Sequence, residues 1–207
     1  MEALEKGLSN LWKHIQNMKE KFGLNVIVAI NKYITDTEKE LEFLENKLKE
    51  KNIPMSCVEA WAKGGKGAID LAEKVVRLSE EPSDFRYTYE LEDGIKEKIN
   101  KVSKEIYGAE GVEFSEDALK TIEEIEKRGY GRLPICIAKT PYSFSDDQKN
   151  LLCEDPFKIH AKEIILKAGA EFVVVLTGKI FTMPGLSRTP SAETIDIDSD
   201  GNIIGIF

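Results

Sequence analysis

Two aromatic residues, Tyr33 and Trp61, each follow a short apolar run within a few positions: Asn25-Val-Ile-Val-Ala-Ile30 before the first, Ile53 to Val58 before the second. Such runs read as strands buried on both faces of a parallel sheet. Open α/β sheets bind ligands outside the carboxyl ends of their strands. If the strands are neighbours, both rings emerge at one crevice, where a facing pair forms a slot that holds a flat heterocycle by stacking and apolar burial. Aromatic rings at such positions are also ordinary packing residues, and position alone leaves both readings open. Just beyond Trp61, Lys63-Gly64-Gly65-Lys66-Gly67 precedes a helix. Free backbone N–H groups there could hold an anion. The loop fits neither the Walker A pattern nor Gly-x-Gly-x-x-Gly, and a plain strand-to-helix turn explains its glycines as well.

The other polar clusters have simpler explanations. Thr35-Asp36-Thr37 reads as a helix cap. Asp196-x-Asp198-x-Asp200-Gly201 imitates the start of a calcium loop, but the twelfth position, which needs a bidentate Glu, falls on Phe207. His14 and His160 lie far apart, with no Cys or carboxylate at metal-ligand spacing. They read as surface or boundary residues, and no metal site is expected. Lys139-Thr140 and Ser143-x-Ser145-Asp146-Asp147 either line a cleft or form a solvated turn. Gly-x-Ser-x-Gly is absent, so nothing supports an esterase-type nucleophile.

The elements that must position these residues follow from periodicity. Leu4, Leu8, Leu11, Ile15 and Met18 recur at helical spacing over residues 3–21. Helices are also predicted after Thr35, with Leu41, Leu44 and Leu48 inward, and over 68–78, 94–107 and 116–128. Ser115 serves as an N-cap and Gly129 as a stop. Strands are predicted over 135–138, 157–166 and 172–176, with a hairpin through Ser199-Asp200-Gly201-Asn202. The fold class is α/β: a partial doubly wound parallel sheet with helices (1–84), followed by a smaller α+β domain (85–207), with Glu80-Glu-Pro-Ser-Asp84 as a polar linker. Two strands are too few for a stable doubly wound sheet. Residues 1–80 are therefore expected to expose an unpaired sheet edge or an apolar face that needs a partner chain or self-association.

Bulk properties bound the function. Of 207 residues, 32% are charged and 42% hydrophobic, as in ordinary globular proteins. A net charge of −8 argues against nucleic-acid binding and against attraction to an anionic membrane. No apolar run approaches the ~20 residues of a spanning helix, and the N-terminus has no signal-peptide apolar region. Cys57, Cys136 and Cys153 show no pairing pattern, as expected for reduced thiols in the cytoplasm.

Several segments, in order, carry a resemblance to formate–tetrahydrofolate ligases. They are Trp61-Ala62-Lys63-Gly64-Gly65, Gly129-Tyr-Gly-Arg-Leu-Pro-Ile-Cys-Ile-Ala-Lys-Thr140, Leu176-Thr-Gly-Lys-Ile-Phe-Thr-Met-Pro-Gly-Leu186 and the ending Gly205-Ile-Phe207. Members of this family join formate to tetrahydrofolate at the expense of ATP, with magnesium and a monovalent cation assisting. The resemblance implies that Tyr33, where the family usually has Phe, and Trp61 sandwich a folate-type or adenine ring. Ile34, which stands where many members have Pro, and Lys63, Gly64 and Gly65 would belong to the adjoining substrate loops. Family enzymes are much longer, and their phosphate-binding portion has no counterpart here, so no catalytic acid, base or phosphate-transfer residue is assigned and the chain alone is expected to bind no cofactor. Lys162, Glu171 and Phe181 depart from the family's usual Arg, Gly and Met or small residue; the Gly replaced by Glu171 would supply space or positive φ. The resemblance implies a C-terminal fragment or split subunit that works with an N-terminal P-loop polypeptide or a full-length ligase. The alternative is a non-catalytic folate- or nucleotide-binding or regulatory protein.

Overall fold

The computed structural model describes residues 1–152, 156–178, 180 and 187–206. Cys153, Phe181, the Met183-Pro-Gly-Leu186 turn and Phe207 lie outside them. The fold is mixed α/β with parallel pairings, built around two separate apolar clusters. Helix α1 (Glu2–Gln16) passes into a π-helical turn, Asn17–Lys21, so the apolar face read over 3–21 is helical but not uniformly α. Strand β1 (Val28–Asn31), helix α2 (Glu38–Glu50) and strand β2 (Met55–Val58) form a βαβ unit whose strands pair in parallel. Ile15, Leu48 and Ile53 are buried at its centre, with Trp12, Val28 and Met55 packed around them.

Local chemistry sets the ends of this unit. Thr37 caps α2 in a reciprocal capping box with Glu40, an arrangement worth about 1 kcal/mol. At the other end Asn52 takes the left-handed conformation (φ 55°) and Ile53 N–H bonds back to Leu48 O at 3.0 Å, which turns the chain into β2. Beyond β2 come a single turn α3 (Ala60–Lys63), a 3-10 turn Gly64–Ala68 and helix α4 (Ile69–Ser79). The segment expected as a Gly-rich loop is thus half helical. Among the described residues β1 and β2 pair only with each other, and α4 leaves Ile69, Val75 and Val76 exposed.

The second cluster lies under helices α5 (Ile95–Val102), continued by a π turn Ser103–Tyr107, and α6 (Glu116–Lys127). Strands β3 (Gly111–Phe114), β4 (Ile135–Ala138), β5 (Lys158–Ala161), β6 (Glu163–Lys167) and β7 (Phe172–Leu176) complete it. The sheets are β3–β5, parallel, and β4–β7–β6, in which β4 runs parallel and β6 antiparallel to β7. Two expectations need correcting. The apolar run 157–166 is not one strand: at Lys162 the chain leaves β3 for β7, with Lys162 N–H on Leu176 O and Ser115 Oγ donating to Lys162 O. Strand β3 was not expected; its only signal is the alternation of Val112 and Phe114 around Glu113, too short to stand out. Lys98 is fully buried. Its ammonium donates to Gly131 O at 2.8 Å and Leu133 O at 3.0 Å, which fixes the turn leading into β4, and burial holds its pKa below the usual lysine range. Near the C-terminus β8 (Asp196–Ile197) and β9 (Ile203–Ile204) form the hairpin, and the Asp198 carboxylate accepts backbone N–H groups of Asp200 and Asn202. That is a turn-closing role rather than a calcium loop.

Between β6 and β7, Glu171 sits in the left-handed region (φ 58°, ψ 43°), a conformation that costs a non-glycine residue roughly 1–2 kcal/mol. Glu171→Gly is expected to raise unfolding stability by roughly 1 kcal/mol after glycine's own entropic cost. A urea denaturation midpoint that falls or stays fixed would contradict this.

Candidate functional site

The parallel register sets Asn31 opposite Val58, so β1 and β2 end side by side. The chain beyond each strand carries one ring to the same place. Tyr33 and Trp61 lie with ring centroids 6.2 Å apart and planes inclined by 17°, a near-parallel stack. Both are about half exposed, at 53% and 57%, so neither is a core packing residue. They share an open depression of about 390 Å³ with Lys32, Ile34, Asp36 and Glu59.

Each ring is held from behind. The Trp61 indole N–H donates to Lys32 O at 2.7 Å, one peptide before Tyr33, which ties the two loops together. Tyr33 N–H donates to Asp36 Oδ2 at 2.7 Å, and Asn31 Nδ2 donates to the Tyr33 hydroxyl oxygen at 3.2 Å. Asp36 therefore closes the Tyr33 turn, while the capping expected of the Thr35–Thr37 cluster falls to Thr37. Two of the holders were not singled out from sequence: the Lys32 carbonyl, because a backbone acceptor carries no residue signal, and Asn31, whose side chain reads as an ordinary strand-end residue.

The strand beneath is clamped to α4. Buried Ser56 donates to Asp70 Oδ2 at 2.5 Å, and Lys74 Nζ reaches both Asp70 Oδ2 at 2.7 Å and Met55 O at 2.8 Å. These bonds, first from Lys74 and then from Ser56, hold the Asp70 carboxyl below the usual aspartate range. The loop after Trp61 closes on itself through Glu59 N–H to Gly67 O, 3.0 Å. A Cβ on Gly67 would meet the Glu59 carbonyl at 2.5 Å, whereas one on Gly65 would meet nothing within 4 Å. Gly64 has φ 57° and ψ −145°, a region essentially reserved for glycine.

The sequence-derived candidates thus separate. Tyr33, Trp61 and Ile34, which is 87% exposed, come together at the depression. Lys63, Gly64 and Gly65 lie outside its lining: Lys63 pairs with Glu59 and pulls that carboxyl's pKa down, and the glycines shape the backbone. The remaining candidates lie elsewhere. Lys139 Nζ donates to the carbonyls of Thr140, Ser143 and Ser145, so this loop is internally bonded. His160 meets Asp146 Oδ2 at 3.0 Å, and His14 lies against the Phe144 ring. Among the described residues no group of three or more His, Cys, Asp or Glu gathers to hold a metal, and no helix is long and apolar enough to cross a membrane.

Gly67→Ala is expected to push the Glu59 backbone away and shift the Trp61 indole resonance in a ¹H–¹⁵N spectrum, while Gly65→Ala leaves it in place. Equal shifts from both would remove Gly67 from the site's scaffold. The Asp70 clamp has a pH signature. Because its folded pKa is depressed, its contribution is complete above the ordinary aspartate value of 3.8 and fades as pH falls through the lower folded value. Asp70→Asn should therefore lower stability at pH 7 and flatten the loss of stability below pH 3.8, measured by thermal unfolding against pH.

Comparison with known proteins gives one consistent result. Residues 1–207 match the family described as "Formate--tetrahydrofolate ligase". A protein of that name from Symbiobacterium thermophilum is 46% identical over all 207 residues, and the chain spans 37% of that relative's length.

Proposed function

Because this chain belongs to the formate–tetrahydrofolate ligase family, we propose that it supplies one wall of the ligase's substrate crevice, with Tyr33 and Trp61 stacking the planar ring of a folate or an adenine nucleotide. One observation carries this reading: two half-exposed, near-parallel rings stand together at the carboxyl ends of a paired parallel strand set. A ring inserted between them needs two stacking gaps, roughly 7 Å in all at ordinary carbon–carbon contact. The centroids now stand 6.2 Å apart on half-exposed side chains, which swing outward to admit a ring. The bond to Lys32 O holds the Trp61 indole from behind. Ile34 offers an apolar rim beside the rings.

The chain contributes this wall as a C-terminal fragment or split subunit. The partner is an N-terminal P-loop polypeptide or a full-length ligase, and it supplies the site for ATP, magnesium and the monovalent cation. The residues described here do not fit a metal, so no chemical step is routed through one. The edges of β1–β2, unpaired among the described residues, and the exposed Ile69, Val75 and Val76 of α4 give that partner, or a second copy, a surface to cover. The joining of formate to tetrahydrofolate is then a property of the assembled cytoplasmic enzyme of one-carbon metabolism, with this chain positioning the acceptor ring.

Binding and turnover test the reading separately. Tetrahydrofolate or ADP should bind the isolated chain weakly, and Trp61→Ala should cost at least about three- to tenfold in affinity, since a stacked aromatic pair is worth that much beyond its buried area. Formate-dependent ADP release should be absent for the chain alone and appear when the N-terminal remainder of a relative is added. Unchanged binding by Trp61→Ala would dismiss the slot. Binding that survives with no turnover in any mixture would favour the non-catalytic alternative.

A further inference from the structure

A second concavity, about 610 Å³, shares no residue with the aromatic slot. Three segments build it. Phe22 closes the π turn after α1; Val102 and Ile106 come from α5 and the π turn that continues it; Tyr87, Tyr89 and Leu91 come from the strap 85–92. π turns within helices recur at functional sites, and here two meet beside the cavity, where Asn17 Nδ2 donates to Ile106 O at 2.8 Å and Lys21 pairs with Glu105.

The strap is anchored so that the cavity stays open. Asp84 N–H and Arg86 N–H donate to Gly23 O at 3.0 Å and Phe22 O at 3.1 Å. A Cβ on Gly23 would collide with Asp84 O, and Gly23 has φ 66°, so glycine alone permits this crossing. At the far end Ile135 N–H donates to the Tyr89 hydroxyl at 3.0 Å, and Glu90 N–H donates to Asp93 Oδ2 at 3.0 Å. Tyr87, between these anchors, is 80% exposed and can close over an occupant.

The volume falls in the usual range for small-molecule sites, and the lining is mostly aromatic and aliphatic, as such sites are. The charged groups on it, Glu90 and Glu92, are both carboxylates, and Glu92 already pairs with Arg132. Glu90 therefore weighs against an anionic occupant near this rim. We propose that the seam cavity is a second ligand site, selective for an aromatic small molecule that carries no anionic group.

Two fluorescent probes built on one scaffold test this with the full chain: neutral N-phenyl-1-naphthylamine and its sulfonated analogue 8-anilinonaphthalene-1-sulfonate. The neutral probe should bind saturably, one per chain, and the sulfonate should bind about threefold to fivefold more weakly because it faces the exposed Glu90 carboxylate. Tyr87→Ala should weaken the neutral probe about three- to tenfold. Val102→Trp should fill the cavity and abolish binding; if circular dichroism shows that variant unfolded, Leu91→Trp at the rim takes its place. Trp61→Ala should leave probe binding unchanged, which separates this site from the slot. The proposal is overturned if binding is not saturable, if both probes bind equally, or if Trp61→Ala removes binding that the filled variant keeps.

Discussion

The parallel hydrogen-bonded register of β1 with β2 is the constraint on which the candidate site depends. A one-residue slip would turn every side chain of one strand to the opposite face and carry its ring away from the other. Several features oppose a slip. Ile53 and Leu48 are buried together beneath the sheet, Asn52 fixes the angle at which the chain enters β2, and Ser56 locks the middle of that strand to Asp70. The indole bond from Trp61 to the Lys32 carbonyl then joins the two strand ends directly. The rings meet because the backbone beneath them has few other registers.

A buried ammonium does comparable work in the other cluster. Lys98 has two carbonyl partners from the Gly131–Leu133 turn, and the Tyr89 ring lies 6.0 Å from it. Removing it would leave two part-buried carbonyls without their donor, a loss that adds a desolvation cost to the bonds themselves. Tyr89 in turn accepts from Ile135 N–H at the head of β4. The same tyrosine thus links the strap, the buried lysine and the central sheet, and one wall of the seam cavity inherits its rigidity from them.

Much of this was legible in the sequence, and the exceptions have physical causes. Periodicity gave α1, α2 and α6 because their apolar stripes are long. The strand–ring–strand–ring order gave the meeting of Tyr33 and Trp61 because parallel strands present the same end to one crevice. Glu171 could be read as a strained position before its φ was known, since a resembled Gly implies conformational need. The run 157–166 misled because continuous apolar character is shared by one long strand and by two short strands in different sheets. Only tertiary bonds at Lys162 divide it. The seam cavity left no trace at all: its walls come from Phe22, the strap 85–92, Val102, Ile106 and Pro134, which no motif joins, and π turns have no distinct residue pattern.

The two tryptophans occupy unlike settings, and this makes the chain optically informative. Trp12 packs on the first apolar cluster, with the Lys51 ammonium 5.1 Å from its ring, and takes no part in the lining of the aromatic slot. Trp61 stands half in solvent against a phenol. Their emission should differ in wavelength and in sensitivity to added quenchers. The ratio of the two signals then forms an internally referenced readout, in which one indole records whether the sheet is folded and the other whether the crevice above it is filled.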